Sequence, residues 1–204
     1  MIENSNIAIL ILAAGNSSRM GRPKQLLPWK NTSLLNHSIQ LAHNLNKGAT
    51  YVVLGANRKM IIPNIIHRDI NIICNDNWSF GIGTSIKSGI KIIMKAKPKY
   101  DGALIMLADQ PLLNTHYLHR LIKIFNTQSG QIIASSYGDK SLGVPAIFHC
   151  SFFEELSQLT KNFGAKKMIK KNINHVKIME AKHLITDIDT QDDYDNLYKV
   201  NHQL

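Results

Sequence analysis

The chain has 204 residues, is 44% hydrophobic, and carries a formal net charge of +10 with only two cysteines. That length suits a single domain over 1–204. No apolar stretch reaches ~18 residues, so no transmembrane helix is expected; no membrane partner is expected either, and Cys74 and Cys150 fit neither a disulfide scaffold nor a zinc spacing.

The first predicted element is a strand over Ile7–Leu12, a continuous apolar run of the kind buried on both faces of a sheet. Met1–Asn6 ahead of it has no basic n-region, so this run reads as a core strand, not a signal peptide, and the expected compartment is the reducing cytoplasm. A polar loop follows, and then a helix capped by Thr32 or Ser33 and running to about Asn46. Strands are expected over Thr50–Leu54 and Ile70–Cys74, a helix over Gly83–Lys95, a strand over Ala103–Leu107 and a helix over Thr115–Asn126. Later come strands at Gln131–Ser135 and Pro145–Phe148, and helical pieces at Ser151–Leu159 and Gly164–Lys171. A strand near His175–Met179 and a helix near Gln191–Val200 close the chain. This alternation predicts an α/β fold, a mainly parallel sheet with helices on both faces.

The loop after the first strand concentrates the chemistry. Its small residues Ala13, Ala14 and Gly15 let a ligand approach the backbone closely. Arg19, Arg22 and Lys24 then supply three cations able to neutralise a phosphate chain at the carboxyl end of a strand. Neither G-x-x-x-x-G-K-[ST] nor G-x-G-x-x-G is present, so this is neither a P-loop nor a dinucleotide fingerprint. The +10 charge favours anionic partners. The lysines at 95, 97 and 99 read as solvated. Those at 161, 166, 167, 170 and 171 are placed to gather an anionic substrate, and no nucleic-acid motif accompanies either group.

The string Leu12-Ala13-Ala14-Gly15, Ser17, Arg19-Met20-Gly21, Lys24, Leu26-Leu27-Pro28 resembles the signature of the nucleotidyltransferases that finish the molybdenum cofactor, the MobA/MocA-like family. The resemblance implies a Rossmann-like nucleotidyltransferase fold and Mg²⁺-dependent transfer of a nucleoside monophosphate to a phosphorylated acceptor. In it, Leu12, Ala13, Ala14 and Gly15 meet the nucleotide, and Arg19 and Lys24 hold the triphosphate. Leu-Ala-Ala-Gly is similar to the cytidylyltransferase branch, whereas the guanylyltransferases carry Leu-Ala-Gly-Gly. Ala14 therefore points to CTP, with molybdopterin as acceptor and a molybdoenzyme or its maturation chaperone as recipient. Sister readings are another acceptor (a sugar or polyol phosphate), GTP as donor, or a non-catalytic homologue that delivers cofactor.

Leu107-Ala108-Asp109-Gln110-Pro111 ends the Ala103–Leu107 strand with a carboxylate, where a triphosphate would require a bridging cation. It resembles the family element whose Asp holds the metal, which makes Asp109 a catalytic metal ligand. Asp187-Ile188-Asp189-Thr190 is similar to the family's D-I-D-T-P-E-D. Alternation sets both carboxylates on one side of an extended segment, with Asp189 favoured over Asp187 as the second ligand, while Asp189 or Thr190 could also cap the last helix. Asn75 through Ser85 resembles the family's N-x-x-W-x-x-G-x-x-x-S. Asn75 would read the base or ribose, Gly81 let the backbone approach, and Ser85 donate to a phosphate. Pro145 and Lys166, within segments similar to the family's G-x-P-x-x-F and G-A-[RK], are the expected acceptor contacts.

Overall fold

The structure is a computed structural model, and it describes residues 5–138, 141–161 and 163–202. Met1–Asn4, where the reading of the amino terminus falls, lies outside the described residues. In chain order the elements are β1 (Ile7–Ala13), β2 (Pro28–Trp29), β3 (Thr32–Ser33), α1 (Leu34–His43), β4 (Thr50–Leu54), α2 (Arg58–Ile61), β5 (Asn71–Cys74), α3 (Ile82–Ile93), β6 (Gly102–Leu107), α4 (Thr115–Ile124), β7 (Ile132–Ser136), β8 (Leu142–His149), α5 (Phe153–Ser157), α6 (Ala165–Lys171), β9 (Val176–Glu180) and α7 (Gln191–His202).

Seven strands form one sheet in the order β5-β4-β1-β6-β8-β7-β9. β1 is central, pairs in parallel with β4 and β6, and every residue in it is buried. Its alternate side chains serve two layers. Ile7, Ile9 and Ile11 pack with Leu35 and Ile39 of α1 and Leu118 and Leu121 of α4. Ala8, Leu10 and Leu12 pack with Ile86, Ile90 and Ile93 of α3. A strand covered on both faces needs apolar residues at every position, which is why its sequence reads as an unbroken run and not as an alternation. Helices therefore flank a mainly parallel sheet on both sides, as expected.

β8 departs from that regularity: it runs antiparallel to both β6 and β7. Only five residues separate β7 from β8, and a parallel return would need a crossover of a dozen or more. Two further pieces were not anticipated, the β2–β3 hairpin and the four-residue helix α2, both too short to show a periodicity. Ser33 caps α1, its hydroxyl accepting from Asn36 N at 3.3 Å. Among the described residues no helix is long and apolar enough to cross a membrane.

Candidate active site

Parallel strands deliver their carboxyl ends to one edge of the sheet, and the loops there build the site. The loop after β1 turns back under its own strand. Ser17 adopts a left-handed backbone conformation, with φ 55°, and its hydroxyl accepts from Lys24 N at 3.0 Å. Gln25, almost fully buried, donates from one amide nitrogen to Ala13 O at 2.9 Å and Gly15 O at 3.0 Å. That clamp holds the small-residue segment in place.

Lys24 is the centre of the charge arrangement. Its ammonium is ion-paired to Asp109, lies 3.3 Å from Asp189 Oδ1, and donates to Ile188 O at 2.8 Å. Burial opposes its charge, but Asp109 and Asp189 outweigh that cost and raise the Lys24 pKa above the ordinary value. Arg19 reaches Asp189 Oδ2 at 3.2 Å from a largely exposed position. Asp189 is free to face these cations because α7 is capped by Thr190: Thr190 Oγ1 accepts from Asp193 N at 3.1 Å, and Asp193 Oδ2 accepts from Thr190 N at 2.8 Å.

Asp187 goes elsewhere. Gln110 donates to its Oδ1 at 2.8 Å, and desolvation together with the Asp109 charge raises its pKa. Gln110 is 1% exposed, and the same nitrogen lies 3.3 Å from the Tyr137 hydroxyl. The Tyr137 hydroxyl donates in turn to Val144 O at 2.9 Å, and burial followed by the Asp187 charge pushes its pKa up to about 12.

Two clefts meet at this edge. The first, about 520 Å³, is lined by Leu12, Ala13, Ala14, Gly15, Lys24 and Asp109 on one side and by Trp78, Gly81 and Ser85 on the other. The second, about 390 Å³, runs past Tyr137, Gly143, Val144, Lys166, Lys167 and Asp187. Leu12, Ile82 and Leu107 border both. Gly81 turns into the first cleft at φ 110°, a conformation a side chain would strain.

Two expected residues, Asn75 and Pro145, line neither of these two clefts. Asn75 is 2% exposed; its amide donates to Thr84 Oγ1 at 2.9 Å and Ser85 Oγ at 3.0 Å, and its carbonyl accepts from Asn77 N at 3.0 Å. These bonds make Asn75 a brace of the loop, and it borders not the first cleft but a neighbouring one of about 450 Å³ with Asn77, Thr84 and Lys87. Pro145 is likewise inside β8, its carbonyl accepting from Ser135 at 2.6 Å. The second cleft is walled by its neighbours Gly143 and Val144 instead. Lys166 does border that cleft, donating to Ser141 Oγ at 2.6 Å. Sequence reading missed Gln25, Gln110 and Tyr137, because neutral side chains carry no charge signal; Gln25 and Gln110 did lie within the quoted motifs.

The donor set suits a hard divalent cation. Asp109 Oδ1 is buried and makes no hydrogen bond, so one carboxylate lone pair is presented without a partner, and every nearby anionic donor is oxygen. Asp109 and Asp189 are already drawn to one positive charge, the Lys24 ammonium.

A mainly parallel sheet with a cationic loop above an acidic, two-lobed cleft defines a nucleotidyltransferase of Rossmann-like fold. The match to known proteins is more particular. The model of the MobA-like NTP transferase domain matches residues 9–177, and the chain belongs to that family. The purine catabolism protein PucB of Bacillus subtilis is 28% identical over 198 residues, covering 91% of this chain and 93% of its own. The bifunctional protein GlmU of Pseudomonas savastanoi is 28% identical over 136 residues, and that match spans only 29% of its length. The crystal structure of Rv0371c from Mycobacterium tuberculosis superposes with a TM-score of 0.81 at 26% identity, covering 96% of this chain and 99% of the other. Rv0371c has also been solved in complex with manganese.

Proposed function

We propose that this nucleotidyltransferase moves CMP from CTP to molybdopterin, releasing pyrophosphate and forming molybdopterin cytosine dinucleotide. The observation that carries the two-substrate reading is the pair of adjoining clefts, one holding Asp109 and Lys24, the other Asp187 and Lys166. In this reading CTP occupies the first, its base against Ala14 and its phosphates against Gly15, Arg19 and Lys24. The acceptor phosphate enters the second, past Gly143 and Lys166. That phosphate is already an anion, so attack on the α-phosphorus needs no general base. Catalysis then reduces to alignment and neutralisation of charge. Lys24 would swing from its carboxylate partners to the departing pyrophosphate, and Arg19 would add a forked pair of donors at the rim.

Asp109 and Asp189 would hold Mg²⁺, with Asp187 within the same acidic group. The ion would neutralise the phosphate oxygens as charge shifts to the leaving group. A divalent cation also accompanies Rv0371c in its manganese complex. CTP is preferred over GTP on the strength of Ala14, which lines the first cleft where the base would lie.

Pyrophosphate release tests this directly. Each of the four nucleoside triphosphates is combined with molybdopterin, a sugar phosphate and a polyol phosphate. The expected pair is CTP with molybdopterin, dependent on Mg²⁺. Turnover with GTP, or only with a sugar or polyol phosphate, replaces the assignment with a sister reaction. No turnover with any pair leaves the cofactor-delivery reading.

A further inference from the structure

The opposite edge of the sheet brings together two histidines and an aspartate, side chains of the kinds that ligate metals. His43 is the last residue of α1, and His67 and Asp69 lie in the segment that leads into β5. Because α1 and β5 run in opposite senses across the sheet, the end of one and the start of the other meet at the amino-terminal edge of the strands, away from both clefts. One candidate ligand atom from each of His43, His67 and Asp69 lies within 4.8 Å of the other two.

The group is already partly organised. His43 Nδ1 lies 3.2 Å from Asp69 Oδ2. The two imidazoles stack with centroids 5.4 Å apart and planes inclined by 29°. His67 Nε2 lies 2.9 Å from Gln40 Oε1. The Gln40 amide nitrogen donates to Asn44 Oδ1 at 2.8 Å, which turns its carbonyl oxygen toward His67. In the tautomer with its proton on Nε2, His67 donates to that carbonyl and its Nδ1 keeps a lone pair for a cation. This is the arrangement by which a second residue fixes the tautomer of a ligating histidine. The side chains of His43 and Asp69 are 50% and 60% exposed, so a cation reaches them directly from solvent.

Two imidazoles and one carboxylate suit a borderline transition metal, whereas the all-oxygen donors of the cleft suit Mg²⁺ or Mn²⁺. Tetrahedral zinc with bonds of about 2.0–2.1 Å sets its ligand atoms about 3.3 Å apart. The present spacing, within 4.8 Å, is wider than that, so zinc would draw the three side chains inward and leave the fourth position to water. We propose that His43, His67 and Asp69 form a second cation site, selective for zinc-class ions, that clips the end of α1 to the segment before β5.

The experiment uses the full chain with Zn²⁺ alone as probe, in excess Mg²⁺ to occupy the oxygen-donor site, read by equilibrium dialysis and thermal unfolding. Wild type should bind one more equivalent of Zn²⁺ than His43→Ala or His67→Ala, and only wild type should gain thermal stability with Zn²⁺. Asp69→Asn should weaken binding by at least ~10-fold. A Co²⁺-loaded sample should show tetrahedral visible absorption in wild type and not in His67→Ala. Nucleotidyl transfer in Mg²⁺ should be unchanged in all three variants. If the variants, folded as judged by circular dichroism, bind Zn²⁺ with wild-type stoichiometry and affinity, or if excess Mg²⁺ displaces the bound zinc, the site is overturned.

Discussion

Lys24 and Asp109 form an ion pair across the floor of the first cleft, each side chain only 16% exposed. In water such a pair contributes about 0–1 kcal/mol; with this little solvent it is strongly held, and breaking it requires a replacement for each partner. A triphosphate and its metal ion are such replacements: the phosphates take the ammonium and the ion takes the carboxylate. The pair therefore keeps both groups in place while the site waits for substrate.

Asp109→Asn should abolish turnover while leaving the fold intact. Asparagine preserves shape but removes the charge that would hold the metal, at a cost of several kcal/mol of transition-state stabilisation. Lys24 keeps Asp189 and Ile188 O as partners in the variant, so Tm should stay close to wild type. Near-normal pyrophosphate release in Mg²⁺ would remove Asp109 from the metal site.

Lys24→Ala should lower kcat/KM for the nucleotide by at least ~10-fold, about 1.4 kcal/mol, with little change in the acceptor KM. Steady-state kinetics with each substrate varied in turn separates the two. A change confined to the acceptor would move Lys24 to the other cleft.

Ala14→Gly should narrow the preference for CTP over GTP without reversing it. Loss of one methyl group from a cleft wall changes discrimination by only ~1–3 kcal/mol. The ratio of kcat/KM values for the two nucleotides, measured in both proteins, decides it, and a wild type that prefers GTP refutes the assignment to CTP.

Gln25→Ala should lower both stability and nucleotide affinity. It strips the shared donor from Ala13 O and Gly15 O, and a buried acceptor left unsatisfied costs about 1–3 kcal/mol. For a chain of this size each kcal/mol is worth about 2–4 °C in Tm. A Tm and a nucleotide KM that both stay at wild-type values would show that the clamp is dispensable.

His37 should make the protein sensitive to acid. Burial, aided by the charge of Lys30, lowers its pKa from 6.5 to about 4, and its Nε2 lies 3.2 Å from Pro111 O. The unfolded chain therefore binds a proton at higher pH than the folded one. Stability is complete above the unfolded value and falls as pH drops from about 6.5 toward 4, by about 2–3 kcal/mol in all. His37→Gln, which keeps a donor for Pro111 O, should flatten that slope. Denaturant unfolding of both proteins at about pH 7.5 and pH 5 checks it, and equal slopes would refute the role.

The layered α/β fold was legible in the sequence because its main signal is burial. β1 lies under helices on both faces, so it had to be apolar throughout, and Thr50–Leu54 was bounded as found. The placement of Lys24 and Asp109 at the carboxyl end of the sheet was legible too, since each follows a buried strand, and both line the first cleft. Side-chain partners were not. Asp187 and Asp189 are two residues apart on one side of an extended segment, and although Asp189 was favoured, the partner of neither could be read. Only the folded chain sends Asp189 to Lys24 and Asp187 to Gln110, because α7 is capped by Thr190 and Gln110 is buried beside Tyr137. For Asn75 the sequence showed only an amide with donors and an acceptor, and tertiary packing alone shows its donors turned to Thr84 and Ser85 at the start of α3. Local sequence determined which segments were strand or helix and where charge collected. Which hydrogen-bonding atom met which was decided by contacts between segments far apart in the chain, and no local periodicity encodes those.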